Sequence, residues 1–293
     1  MTMPRPTLLV SLAHPDDESF GSPPVGTILR YAQAGAAVHL VCATRGEAGT
    51  IDAEHLRGYD SVAALRTQEL HCAAQVLGLA GVHFLDYRDS GMENSPDNQH
   101  PDCLIQAPIE AVAEKITYLI RQLHPQVVLT FDPSGGYFHP DHIRVHRATT
   151  LAFQAAGDPT QFSAHLEEGL APYQPQKLYY MLFSRGLIKA AVKLMPLIGQ
   201  NPAAFGRNKD INLKRTAAVQ QQLTTRIGVA DFFKPSRQAA ACHASQIAGL
   251  PRIPNFVLKW FARYETYTRI APPFQADEPF EDDLFAGVHQ ETF

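Results

Sequence analysis

The stretch Thr7-Leu8-Leu9-Val10-Ser11-Leu12-Ala13-His14-Pro15-Asp16-Asp17-Glu18 passes without a linker from an apolar run of strand length into one imidazole and three carboxylates. A short apolar run bounded by turn residues reads as a strand buried on both faces, as in a parallel sheet. Comparable runs, rich in β-branched residues, occur at Val38 to Thr44, Val82 to Leu85, Val127 to Phe131 and Leu178 to Phe183. Between them lie helix-length segments, Pro24 to Ala34, Ser61 to Leu77, Ile109 to Leu123 and His142 to Ala155. This alternation predicts an α/β fold, a Rossmann-like and mostly parallel sheet with helices on both faces. In a sheet of order 3-2-1-4-5, strands one and four adjoin at the switch point and ligands sit beyond their carboxyl ends. His14 to Glu18 should therefore face the segment after the fourth strand, Gly135-Gly136-Tyr137-Phe138-His139-Pro140-Asp141-His142. The polar stretch Asp86 to Pro108 reads as a long loop at the same edge.

The 293 residues, 45% of them hydrophobic, suit a single catalytic α/β domain spanning residues 1–293. No window approaches the ~18 apolar residues of a membrane span, and the first residues lack the features of a signal peptide, so the expected location is cytoplasmic. Cys42, Cys72, Cys103 and Cys242 are far apart without a C-x-x-C pair and are expected to be reduced core residues. The net charge of −4 conceals an asymmetry: Lys177 to Arg237 carries eleven Lys/Arg against Asp210 and Asp231. Of the 25 basic and 29 acidic residues, this leaves 14 and 27 elsewhere, so the segment is +9 and the remainder −13. The basic segment 177–237 reads as a lid or an insertion within the domain; Arg185, Lys189, Lys193, Arg207 and Lys209 would focus a positive field wherever they gather, and otherwise read as a solvated surface or a packing face with its lysines snorkelling outward. The end, 277–293, reads as a solvated acidic tail.

His14 and Asp17 are three apart, as are His139 and His142, a spacing that brings two side chains to one side of a turn. Two histidines and a carboxylate make an open zinc set, with a fourth position left for water, because the cysteines of closed structural sites are missing. Asp16 and Asp17 together offer one ligand and one base. His100-Pro101-Asp102 repeats the tripeptide but lacks the further partners and reads as a turn.

Five segments then carry a resemblance: Ala13-His14-Pro15-Asp16-Asp17-Glu18, Thr44-Arg45-Gly46-Glu47, Arg66-x-x-Glu69-Leu70, Asp89-Ser90-Gly91-Met92 and Gly136-Tyr137-Phe138-His139-Pro140-Asp141-His142. In content and order they resemble the PIG-L/LmbE family of zinc-dependent N-acetylglucosaminyl deacetylases, with a weaker return at His243-x-Ser245-Gln246. The resemblance implies metal-dependent removal of an N-acetyl group from an N-acetylglucosamine-containing small molecule, of the kind used in thiol biosynthesis or a related glycoconjugate. It implies His14, Asp17 and His142 as ligands of Zn2+, a set that iron(II) also fits, and Asp16 as general base. It further implies that His139 assists the tetrahedral intermediate and the leaving amine, with Asp141 orienting its ring, and that Tyr137 binds the oxyanion or donates a proton. Arg66 and Asp89 match substrate-contacting positions; the alternatives are an Arg66–Glu69 pair along one helix and a turn held by Asp89. Glu18 and Glu47 read as hydrogen-bond supports for the site.

Two rivals stand beside this reading. An amidase of the same family, cleaving a larger acyl group or a thiol conjugate, would share the chemistry. A non-catalytic sugar-binding protein would need neither Asp16 nor His139. No G-x-G-x-x-G follows the first strand, which disfavours a dinucleotide site. The composition, on balance acidic, disfavours a nucleic-acid partner.

Overall fold

The computed structural model describes residues 5–20, 23–183, 185–247, 258–260 and 262–289. Seven strands form one sheet in the order β3-β2-β1-β4-β5-β7-β6. The strands are β1 (Thr7–Leu12), β2 (Ala37–Thr44), β3 (Gly81–Tyr87), β4 (Val127–Phe131), β5 (Lys177–Leu182), β6 (Thr225–Gly228) and β7 (Tyr264–Ala271). Strands β1 to β5 pair in parallel in the expected 3-2-1-4-5 order, and β7 and β6 add an antiparallel edge. The α-helices are α1 (Val25–Gln33), α2 (Val62–Leu77), α3 (Ile109–Leu123), α4 (Gly135–Phe138), α5 (Pro140–Ala155), α6 (Ala164–Glu167), α7 (Arg185–Leu194), α8 (Leu213–Ala218), α9 (Phe233–Cys242) and α10 (Ala244–Ile247).

Right-handed crossovers send α1 and α2 to one face of the sheet and α3 and α5 to the other. Contacts follow that division, with α9 joining α1 and α2 while α3 packs on α5. The core between them is fully buried along β1 and β4, at Leu8, Leu9, Val10, Leu12, Val127, Val128 and Leu129. Because β1 and β4 are neighbours paired in register from Leu8 and Val127, the loops leaving them emerge side by side. The sheet thereby delivers His14 and His142 to one place.

Two expectations are corrected. Cys72 and Cys242 form a disulfide between α2 and α9, whereas Cys42 and Cys103 are free and buried as expected. A separation of 170 residues hides that pairing from any local spacing rule. The acidic end is not simply solvated. Glu281 accepts hydrogen bonds from Lys177 Nζ (2.8 Å), Tyr179 OH (2.8 Å), Thr225 Oγ1 (3.0 Å) and Arg269 Nη1 (2.7 Å), and Leu284 is fully buried. These cations sit on β5 and β7 and draw the carboxylate inward. Residues 290–293, with Glu291, lie outside the described residues.

Candidate metal centre and its cleft

The loop after β1 turns sharply at Asp16, whose φ of 120° is unusual for a residue with a side chain. Asp17 closes the turn: its Oδ2 accepts the backbone N–H groups of His14 (2.8 Å) and Ala13 (3.2 Å). Its Oδ1 is left facing His142 Nε2 at 3.2 Å. After β4, Asp132 Oδ1 gathers Ser134 N (3.0 Å), Ser134 Oγ (2.7 Å) and Gly136 N (2.9 Å), which fixes the turn into α4. Gly136 has a positive φ of 74°, and a Cβ there would come within 2.2 Å of the Phe183 ring, so this position requires glycine.

Donor atoms of three residues converge. His14 Nδ1 lies 3.3 Å from His142 Nε2 and 3.5 Å from Asp17 Oδ2, while His142 Nε2 lies 3.2 Å from the other carboxylate oxygen, Asp17 Oδ1. Bonds of about 2.0–2.2 Å at tetrahedral angles place ligand atoms roughly 3.3–3.6 Å apart, so these separations, shared between the two Asp17 oxygens, are those of residues able to hold a divalent metal. The remaining ring nitrogens have acceptors of their own. His14 Nε2 donates to Asp141 Oδ2 (3.1 Å) and His142 Nδ1 donates to Gly135 O (3.0 Å), which assigns lone pairs to the two nitrogens that face each other. Two lone pairs and a carboxylate oxygen in a buried triangle repel one another unless a cation or a proton lies between them. Phe131 stacks on the His142 ring at 4.0 Å and holds it in plane.

Two other donor groups, His14 with His139 and His142, and His14 with Asp89 and Asp141, also lie within 4.8 Å. The first has His139 Nδ1 already accepting the Asp141 backbone N–H (3.2 Å), and the second uses the His14 nitrogen that donates to Asp141. The His14–Asp17–His142 set has neither conflict.

Asp16 lines the cleft beside this triangle, with Arg66 Nη2 3.2 Å from its Oδ2. Burial pushes the Asp16 carboxyl up to about 6, against the pull of Arg66 and with the push of Asp17. Arg66 also donates to Gly46 O (2.9 Å) and Pro15 O (2.5 Å), so it ties the loops after β1 and β2 together. It does not pair with Glu69, which instead accepts from Ser245 N and Oγ at 2.8 and 2.7 Å. Asp89 accepts from Gly91 N (2.8 Å), lies 3.4 Å from His14 Nε2, and donates its own N–H to Glu47 (3.0 Å).

Burial together with the neighbouring His14 and His142 holds His139 well below the ordinary imidazole range, which makes it a neutral ring. With Nδ1 occupied as an acceptor, its proton is on Nε2. The resemblance implies that Asp141 orients the His139 ring. The carboxylate instead holds His14 and accepts Ser90 N (2.9 Å), and only the Asp141 backbone N–H reaches His139. The reason is α5: His139 is its N-cap, so its Nδ1 is taken by the first turn. Tyr137 lines the cleft, edge-on to the His142 ring at 5.0 Å, and burial raises its hydroxyl well above the usual phenol range.

The cleft has a volume of about 1080 Å³ and is walled by Met92 to Ser95 and by residues of 195–211 as well as by the site itself. Arg207 and Lys209 line it, whereas Lys189 and Lys193 are exposed and outside its lining, as on a solvated face. The Arg185 side chain lies outside the described residues. Arg207 pairs with Asp52, Asn208 accepts from Thr50 Oγ1 (3.1 Å) and Arg215 pairs with Glu93 (2.9 Å), which pins the basic segment across the cleft. Sequence reasoning had no local signal for Asp132, nor for the long-range pair of His243 and Glu18 (2.6 Å).

A family model described as GlcNAc-PI de-N-acetylase, PIG-L, matches residues 9–153, the part that carries every residue of this centre. A 1D-myo-inositol 2-acetamido-2-deoxy-alpha-D-glucopyranoside deacetylase of Thermobifida fusca is 33% identical, with 95% of this chain and 98% of the relative covered. This chain belongs to the PIG-L family. An enzyme of the same name from Catenulispora acidiphila is 34% identical over 97% of this chain and 98% of its own. Among solved structures, N,N'-diacetylchitobiose deacetylase from Pyrococcus horikoshii superposes with a TM-score of 0.61 at 21% identity, covering 90% of this chain and 84% of that one. The 4-carboxy-2-hydroxymuconate hydratase GalB of Pseudomonas putida also superposes, with a TM-score of 0.56 at 18% identity, covering 93% and 99%. The PIG-L fold thus carries more than one chemistry, and the argument for function rests on the site. No helix among the described residues is long and apolar enough to cross a membrane.

Proposed function

We propose that this PIG-L protein hydrolyses the acetamide of an N-acetylglucosamine-containing small molecule, an N-acetylglucosaminyl inositol, releasing acetate and glucosaminyl inositol as the free amine. The observation that carries the reading is the triangle of His14 Nδ1, His142 Nε2 and Asp17 oxygens beside an unusually placed carboxylate, Asp16. Similarity over 95% and 97% of the chain to the inositol-glycoside deacetylases supports that substrate.

His14, Asp17 and His142 hold the metal, zinc by family resemblance, with iron(II) chemically compatible. When bound, such an ion supplies Lewis acidity toward a water and an amide carbonyl. Asp16 accepts a proton from the attacking water, and Arg66 aligns its carboxylate for that step. The neutral His139 donates a hydrogen bond from Nε2 as charge develops on the acyl oxygen, and Tyr137 lends its hydroxyl on the same side. The proton held by Asp16 passes to the departing nitrogen as the C–N bond breaks. Asp141 fixes His14, and Asp89 and Arg66 border the sugar.

The test is acetate and primary amine measured together on N-acetylglucosaminyl inositol and on N-acetylglucosamine conjugates with other aglycones, before and after chelation. Equal amounts of the two products, abolished by chelator and restored by metal, are expected, with the inositol conjugate preferred. Absence of acetate from every member contradicts the reading.

A further inference from the structure

We propose that His243 is a positioning residue for the general base, acting through Glu18; the inference rests on Asp16 being that base. His243 belongs to the turn between α9 and α10, 225 residues from Glu18 in the chain, yet the two side chains meet at 2.6 Å and both are fully buried. Glu18 Oε1 takes the His243 Nε2–H and the Ser19 hydroxyl (2.6 Å), and Oε2 takes the backbone N–H of Asp16 at 2.9 Å. That peptide is the one whose following φ is 120°, a conformation that a residue with a Cβ holds only when its surroundings over-determine it. The Glu18 carboxylate is the group that holds the Asp16 N–H in that turn.

Among the described residues the Nδ1 of the buried His243 ring has no hydrogen-bond partner, so the bond to Glu18 is the one that directs the ring, with Phe20 packed against it at 5.9 Å between ring centroids. A buried carboxylate–imidazole pair is a poor way to gain stability, because the desolvation cost offsets the attraction and an apolar pair of similar size serves as well. What the pair supplies is direction: a donor at one defined point that keeps Glu18 turned toward Asp16. The turn that presents the ring is itself anchored to α2 on both sides, by the Cys72–Cys242 disulfide just before it and by Glu69 capping Ser245 just after it. The chain from α2 through His243 and Glu18 thus ends on the backbone of the residue that must stand beside the attacking water, where a displacement of a fraction of an ångström is costly in rate. Neither His243 nor Glu18 is among the three residues of the metal triangle.

Two variants separate donor from volume. His243→Leu fills the space and cannot donate; His243→Gln places an amide N–H near the position of Nε2. Expected for the Leu variant is a tenfold to hundredfold fall in kcat, with KM within about twofold of the parent and metal content unchanged. The Gln variant should recover most of that fall. A crystal structure of the Leu variant should show the Asp16 backbone relaxed from its positive φ. Glu18→Gln tests the link from the other end should the Leu variant not be recovered folded, because an amide has one acceptor oxygen where the carboxylate serves donors at both of its own. It should lower kcat in the same way. Parental kcat per folded, metal-loaded molecule in His243→Leu, or in Glu18→Gln where that variant stands in, overturns the inference. So does equal activity in the Leu and Gln variants, or loss of metal in step with loss of kcat. Asp16→Asn run in parallel keeps the readings apart: a fall there without one in His243→Leu sinks only the role of His243, whereas no fall there sinks the assignment of the base.

Discussion

Asp141 Oδ2 lies 3.1 Å from His14 Nε2, and through this one contact the helix that carries His142 also orients the ring of the other ligand histidine. The contact joins residues 127 apart in the chain, on the two segments that leave β1 and β4. It makes His14 present Nδ1 as a lone pair. In the proposed centre Asp141 therefore orients His14 through its carboxylate, and it reaches His139 through its backbone N–H.

Asp141→Asn should accordingly weaken metal binding about 10- to 100-fold, the usual effect of losing an outer hydrogen-bond partner of a ligand histidine. Competition with a chromophoric chelator measures it. A variant with parental affinity but impaired turnover would return Asp141 to the role of orienting His139.

Gly46 has a φ of 71°, and a Cβ on it would lie 2.0 Å from Arg66 Nη1. Gly46→Ala should cost about 1–2 kcal/mol in the left-handed backbone alone. It should also push Arg66 off Asp16 and lower kcat. Gly35→Ala is the control, since its φ is 97° but no atom lies within 4 Å of the added carbon. Thermal melts should shift in both, whereas kcat should fall only in Gly46→Ala.

Glu281→Gln tests the inward-drawn acidic end. Burial raises the Glu281 carboxyl, but hydrogen bonds from Lys177, Arg269 and Tyr179 outweigh it and leave the group below its ordinary value of 4.5. A depressed carboxylate contributes stability above its unfolded value and loses it as the pH falls through the folded one. The parent should thus exceed the Gln variant by about 1.5–3 kcal/mol at neutral pH, the range for hydrogen bonds to charged groups. The gap should close progressively below about pH 4.5. Urea titrations at neutral and acidic pH read it, and a gap independent of pH would contradict the assignment.

The strands β1 to β5 are legible because each signal is local, an apolar run between turns, and their order and the meeting of the His14 and His139–His142 segments follow from the doubly wound arrangement those strands and helices imply. The antiparallel edge is not, because β6 is a four-residue strand with the pattern T-R-I-G and the buried positions of β7 are Glu265, Tyr267 and Arg269 rather than an apolar run. The Cys72–Cys242 bridge, the Glu18–His243 pair and the seat of Glu281 each join residues more than 100 apart and leave no mark in any window. The role of Asp141 beside His139 is what the family resemblance implies. The structure assigns its carboxylate by proximity in space to His14.

The central claim is that two adjacent aspartates divide the work, Asp17 holding metal and Asp16 moving a proton. The direct measurement is metal content and kcat determined on the same samples of Asp16→Asn, Asp17→Asn and His142→Ala. The account predicts that Asp16→Asn keeps its metal while kcat falls ~10²–10⁴-fold, the usual contribution of a general base, and that the other two lose metal and activity together. Loss of metal from Asp16→Asn as complete as from His142→Ala would contradict it.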